Sequence, residues 1–169
     1  MKLEEYDYKV EAMTDYLPAY KGLGEIYKIT IIAYANGNNK TLSMKAAEKQ
    51  KMLNRMRIMD KPKKTFIFKA FAGLVFLLLK DEDVDEVIID KEYPGHEATI
   101  KAILVRLFDR NELNPPNIGF ALIGKKSKAH KIALETYRGE RKPDIKVKAE
   151  GVLNLFNLKK SWRSSSEGR

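Results

Sequence analysis

The chain has 169 residues, 44% of them apolar and 33% charged, with no cysteine and a formal net charge of +9. That length suits one domain with a two- or three-layer core, and the composition is globular rather than disordered. The missing cysteines exclude disulfides, cysteine-based zinc sites and thiol nucleophiles. The cationic excess has two readings: a polyanionic partner, most simply nucleic acid, or a lysine-rich surface of the kind common in thermophile proteins.

The opening MKLEEYDYKV holds no apolar signal region, so nothing suggests export and a cytoplasmic protein is expected. Tyr6, Tyr8, Val10, Ala12 and Thr14 alternate within Glu4–Thr14, which predicts a first strand ending at Asp15. Pro18 then interrupts any ladder, and Ala19–Gly24 is a loop with two glycines. Ile26–Ala35 is rich in β-branched and aromatic residues and predicts a second strand. Asn36-Gly37-Asn38-Asn39 predicts a hairpin turn, because Asn-Gly tolerates positive φ, and Lys40–Ala46 returns as a third strand.

Ala47–Asp60 is basic and helix-forming, with Met52, Met56 and Met59 at helical spacing, which is a packing pattern rather than a cofactor box. The end of the third strand is the other reading of that segment. Lys61-Pro62-Lys63-Lys64 is a cationic break before Thr65–Leu79, the most apolar segment. Its fifteen residues, Lys69 among them, are too short and too charged to span a membrane, so a core helix is expected and no membrane partner. Asp81–Asp85 lacks the spacing of a calcium loop and is expected to be a solvated connector.

Val84, Val87, Ile88 and Ile89 form a short apolar run ending at Asp90, which predicts a strand buried on both faces. Pro94 and Gly95 stop it, and a helix begins at about His96 with Ala98, Ile100, Ile103, Leu104 and Leu107 as its apolar stripe. Asp90 therefore stands at the carboxyl end of a central strand, where open α/β sheets place ligands, unless it merely caps the turn. Asp109–Asn117 is a loop, Ile118–Ile123 another buried strand, and Gly124–Lys128 a basic turn into a helix over Ala129–Tyr137. Asp144–Ala149 alternates like an edge strand and Val152–Leu158 is a short apolar close. Residues 1–158 are expected to form the domain, with Lys159–Arg169 as a disordered basic tail.

The order β-β-β-α-β-α-β-α, with acids ending the first and fourth strands, resembles the ribonuclease H-like superfamily. Met13-Thr14-Asp15 is similar to the family's strand-one aspartate after a small or hydroxyl residue. Asp90-Lys91-Glu92-Tyr93 keeps the spacing from the strand-four aspartate to a tyrosine, and Ala129-His130-Lys131-Ile132-Ala133 is similar to the last-helix Ala-Asp-x-Leu-Ala pattern with histidine for the acid. Lys69, in Phe68-Lys69-Ala70-Phe71-Ala72, stands where the family's first helix places a glutamate, and Glu92 or Glu97 are the acids left to replace it.

The resemblance implies a mixed α/β sheet with helices on both faces, and a nuclease that hydrolyses phosphodiesters of an RNA–DNA hybrid, structured DNA or single-stranded nucleic acid. It implies Mg²⁺ or Mn²⁺ held by Asp15, Asp90, His130 and Glu92. Asp15 and Asp90 would bridge the ions, His130 would be a ligand or general base, and Lys69 would take part of a missing ion's role. On its own helix His130 reads equally as a hydrogen-bonded core histidine. Lys125, Lys126 and Lys128 precede that helix and suit phosphate, or form a solvated loop. Lys159, Lys160 and Trp162 in the tail suit a nucleic-acid backbone and a stacked base. The alternative is a non-catalytic nucleic-acid-binding or scaffold protein of the same fold, which Lys69 favours.

Overall fold

Thr30–Asn36 (β2) buries apolar side chains on both of its faces. Ile32 and Tyr34 belong to one buried cluster, and Ile31, Ala33 and Ala35 to another. Successive strand residues point to opposite faces, so each cluster marks one covered side of a sheet. The computed structural model describes residues 8–13, 29–36, 38–59, 65–123 and 126–156. Within them the other strands are Tyr8–Met13 (β1), Asn38–Met44 (β3), Glu86–Asp90 (β4), Asn117–Ala121 (β5) and Ile145–Lys146 (β6).

These strands form one mixed sheet in the order β5-β4-β1-β2-β3-β6. β1 and β2 pair antiparallel from Lys9↔Ala35 to Met13↔Ile31, and β2 and β3 antiparallel from Thr30↔Met44 to Asn36↔Asn38. β1–β4, β4–β5 and β3–β6 pair in parallel. Among the described strands only β2 runs against the others, so β1, β3, β4 and β5 all end at one rim.

The helices among the described residues are Ala46–Met59 (α1), Phe66–Leu79 (α2), Glu97–Arg110 (α3), Lys128–Tyr137 (α4) and Ala149–Leu153 (α5), followed by a 3₁₀ turn over Asn154–Phe156. The ambiguous segment after β3 is helical: the Lys45 carbonyl accepts from Lys49 N–H at 2.9 Å, which starts α1, and Met52 and Met56 are buried one turn apart. α2 is apolar almost all round and is the core helix that its composition predicts. α3 buries Ile100, Ile103, Leu104, Leu107 and Phe108. Ala98 is exposed, a correction to the expected stripe, because two residues of helix turn it about 200° from Ile100.

α4 begins at a serine cap, with Ser127 Oγ accepting from His130 N–H at 3.0 Å. It ends on Gly139 at φ 82°, where Glu140 N–H meets Glu135 O at 2.9 Å and Gly139 N–H meets Thr136 O at 3.1 Å. That double bond satisfies carbonyls the last turn would otherwise leave open, and only glycine takes such a φ without strain.

α2 and α3 pack on each other on the side of Ile32, Tyr34, Val87 and Ile89. α4 covers the opposite side over β1, β2 and β3, with Ala129, Ile132 and Ala133 against Ile31, Ala33 and Ala35. Each fully buried isoleucine or leucine contributes about 1.5–3 kcal/mol relative to exposure, so these two layers dominate the sheet's stability. α5 and the 3₁₀ turn close against α2 at Gly73, where an added Cβ would stand 3.1 Å from Val152 Cγ1 and 3.3 Å from Phe156.

Two edge strands differ from expectation. Ile118 is buried, but Gly119, Phe120 and Ala121 are half-buried and Leu122 is 80% exposed. β5 is the sheet's edge and stops at Ala121, so it lacks the second neighbour that covers β4. At the other edge the pairing covers two residues, because Ala149 has already entered α5. Residues 4–7, 14 and 26–28 of the expected first and second strands lie outside the described residues.

Candidate functional site

Val87, Ile88 and Ile89 are buried, as expected for a strand covered on both faces, and they carry β4 to Asp90 at the rim. Asp90 is half-buried, and its Oδ1 accepts from the backbone N–H of Ile123 at 2.9 Å. Lys91 N–H extends the β4–β5 ladder to Ala121 O at 3.0 Å, and Glu92 N–H turns back to Asp90 O at 2.8 Å. The second carboxylate oxygen of Asp90 makes no hydrogen bond among the described residues.

The turn after β4 is held by aromatic packing. Tyr93 is buried edge-on to Phe68 and Phe71, with centroids 5.6 and 5.3 Å apart. His96 stacks on Phe68 at 4.3 Å, which makes it a packing residue at the start of α3. Gly95, at φ 88°, bends the chain there and donates its N–H to Glu97 Oε1 at 3.1 Å. Phe68 and Phe71 lie in the first turns of α2, so these contacts bring the start of α2, with half-buried Lys69, to the rim that holds Asp90.

The other side of the rim is built by α4. Ser127 follows Ile123 by four residues, so the N–H that orients Asp90 and the start of α4 belong to one short connection. Half-buried His130 lies in the first turn of that helix, and exposed Lys126 and Lys128 flank its cap. Asp90, Glu92, Lys69, His130, Lys126 and Lys128 therefore gather at one end of the sheet. Asp15, Lys125, Lys159, Lys160 and Trp162 lie outside the described residues. Among the described residues no group of three or more His, Asp or Glu side chains is arranged to hold a metal ion.

The backbone register adds a residue that the sequence reading passed over. β1 and β4 align Tyr8↔Val87, Lys9↔Ile88 and Val10↔Ile89. One further step puts Glu11 at the level of Asp90, while its antiparallel partner across β1–β2 is Ala33. The alternation of Tyr8, Val10 and Ala12 predicts the strand and carries no information about the residues between them. The signal for Glu11 in the sequence is an acid in the middle of a strand whose backbone pairs on both sides.

The opposite end of the strands carries a different arrangement. An open cavity of about 590 Å³ is lined there by Glu82, Asp83, Asp85, Pro115 and Asn117 among others. Glu82 accepts from the Tyr34 hydroxyl and, at 2.8 Å, from Lys40 Nζ. Burial raises the Glu82 pKa, but the hydrogen bonds from Lys40 and Tyr34 and the charge of Lys40 outweigh it and hold the group below the ordinary carboxylate value. Glu82 ties α2 to the hairpin, which is a structural role for part of the acidic connector. Among the described residues no helix is long and apolar enough to cross a membrane. Comparison with protein-family models, with curated proteins and with solved structures finds no match.

Proposed function

We propose that this chain is a metal-dependent nuclease of ribonuclease H-like architecture that hydrolyses phosphodiester bonds of nucleic acid. The observation that carries the reading is the parallel β1–β4 pair, which delivers Asp90 and an acid-bearing strand to one rim beside the start of α4. Neighbouring parallel strands end together and can bring two carboxylates to one site. Asp90 fits a hard divalent ion, since one of its oxygens is held by a backbone N–H and the other is left for a ligand. An acid of β1 or its continuation is the proposed partner ligand, since Asp90, Glu92 and His130 do not by themselves form a metal-holding group among the described residues. A bound Mg²⁺ or Mn²⁺ supplies an activated water and charge stabilisation for phosphodiester hydrolysis. In this reading His130 moves a proton or ligates, Lys69 holds a phosphate oxygen, and Lys126 and Lys128 neutralise the substrate backbone.

Incubation of labelled RNA–DNA hybrid, duplex, junction and single-stranded substrates with Mg²⁺ or Mn²⁺ tests the reading. Cleavage of at least one, lost in Asp90→Asn, is expected; no cleavage of any by a folded sample overturns it. A second reading, nucleic-acid binding without cleavage, is favoured by the half-buried Lys69 in the first turn of α2. It predicts binding that weakens with salt and ignores chelators.

A further inference from the structure

We propose that the exposed face of α1 is a second nucleic-acid contact, gripping the phosphate backbone beside the rim; this inference rests on the nucleic-acid reading above. α1 starts one residue after β3, whose carboxyl end shares the rim with Asp90. Its fourteen residues extend about 21 Å at the usual rise. Lys49, Met52 and Met56 are buried against the body of the protein, whereas the last turn, Arg57, Ile58 and Met59, is exposed. The helix thus anchors by its first three turns and presents its end to solvent.

The presented face is cationic. Lys51 and Arg55 are exposed one turn apart on this face, with Ile58 at the next helical step; exposed Arg57 stands about 200° round the helix from Arg55, and exposed Lys45 precedes the helix. The one acid of the helix, Glu48, is half-buried and its Oε1 accepts from Ala149 N–H at 2.8 Å, so it does not offset them. Among the described residues no carboxylate pairs with Lys51, Arg55 or Arg57, and Arg57 instead donates to Asn54 Oδ1 at 3.0 Å. Surface cations without acidic partners along one helix complement a polyanion. A membrane surface is the weaker match, because the face carries no continuous apolar stripe to insert.

The test is fluorescence anisotropy of the full chain with a labelled hybrid of about 20 base pairs, from about 50 to 200 mM salt. A double variant, Lys51→Gln and Arg55→Gln, is compared with one carrying Lys101→Gln and Arg106→Gln on exposed positions of α3. Two lost phosphate contacts should lower the slope of log K against log salt by about 2 and weaken binding at least about tenfold, with little change in the α3 variant. Equal losses in both variants, or no loss in the α1 variant while the parent binds, overturn the α1 contact and leave the nuclease reading standing. Absence of cleavage with intact, α1-dependent binding overturns the nuclease reading and leaves this one. Loss of binding to vesicles containing anionic lipid, with nucleic-acid binding retained, assigns the face to membranes and overturns it.

Discussion

Asp90 Oδ1 accepts the backbone N–H of Ile123 at 2.9 Å, across 33 residues of sequence. The end of β4 is thereby tied to Ile123, four residues before the serine that caps α4. Asp90→Asn retains an oxygen for that N–H, and the variant should lose less than about 1 kcal/mol of stability. Cleavage should fall at least about a hundredfold, since an amide is a poor ligand for a hard divalent ion. Parallel urea titrations and cleavage assays separate the two effects.

The β1–β4 register makes a second expectation. Glu11 stands level with Asp90, and Asp15 follows four residues later in the sequence. Glu11→Gln should therefore reduce cleavage and Mn²⁺ affinity more than Asp15→Asn does. The reverse order of effects would return the strand-one ligand to Asp15.

Lys69 supplies a third. A cation near two carboxylates competes with a second metal ion through direct charge repulsion. Calorimetric titration of the unmodified protein should find at most one tightly held Mn²⁺, and Lys69→Glu should raise affinity or stoichiometry. Two equivalent sites before substitution, or no change after it, would remove Lys69 from the site.

Stability should depend on pH through Glu82. Its pKa in the folded protein lies below the ordinary 4.5, so the Lys40 and Tyr34 contacts stabilise the fold above that value. The contribution is lost as pH falls through the lowered folded value. Glu82→Gln should cost about 1–2 kcal/mol at neutral pH, and the gap to the parent should close in acid. Denaturant melts across that range provide the measurement; a gap independent of pH would show that the charge of Glu82 is irrelevant.

Much of this architecture is local in origin and was legible in the residues. The apolar run Val87–Ile89 ending at Asp90, the near-uniformly apolar Phe66–Leu79 and the β-branched and aromatic run Thr30–Ala35 each state their own element, because composition and burial coincide there. Ser127 and Gly139 bound α4 through bonds made within a few residues. What the chain order alone left open depends on distant partners. β5 is half-exposed because it became an edge, and Ala98 is exposed because Ile100 sets the face that meets α2. That Glu11 stands level with Asp90 is a matter of strand register, and that the start of α2 meets the turn after β4 is a matter of how Phe68 packs on Tyr93 and His96. Register and packing join residues tens of positions apart, so only the tertiary structure decides them, as it also decided α1 and the short β6 before α5, while the sequence by itself determined the segments whose own pattern is unambiguous.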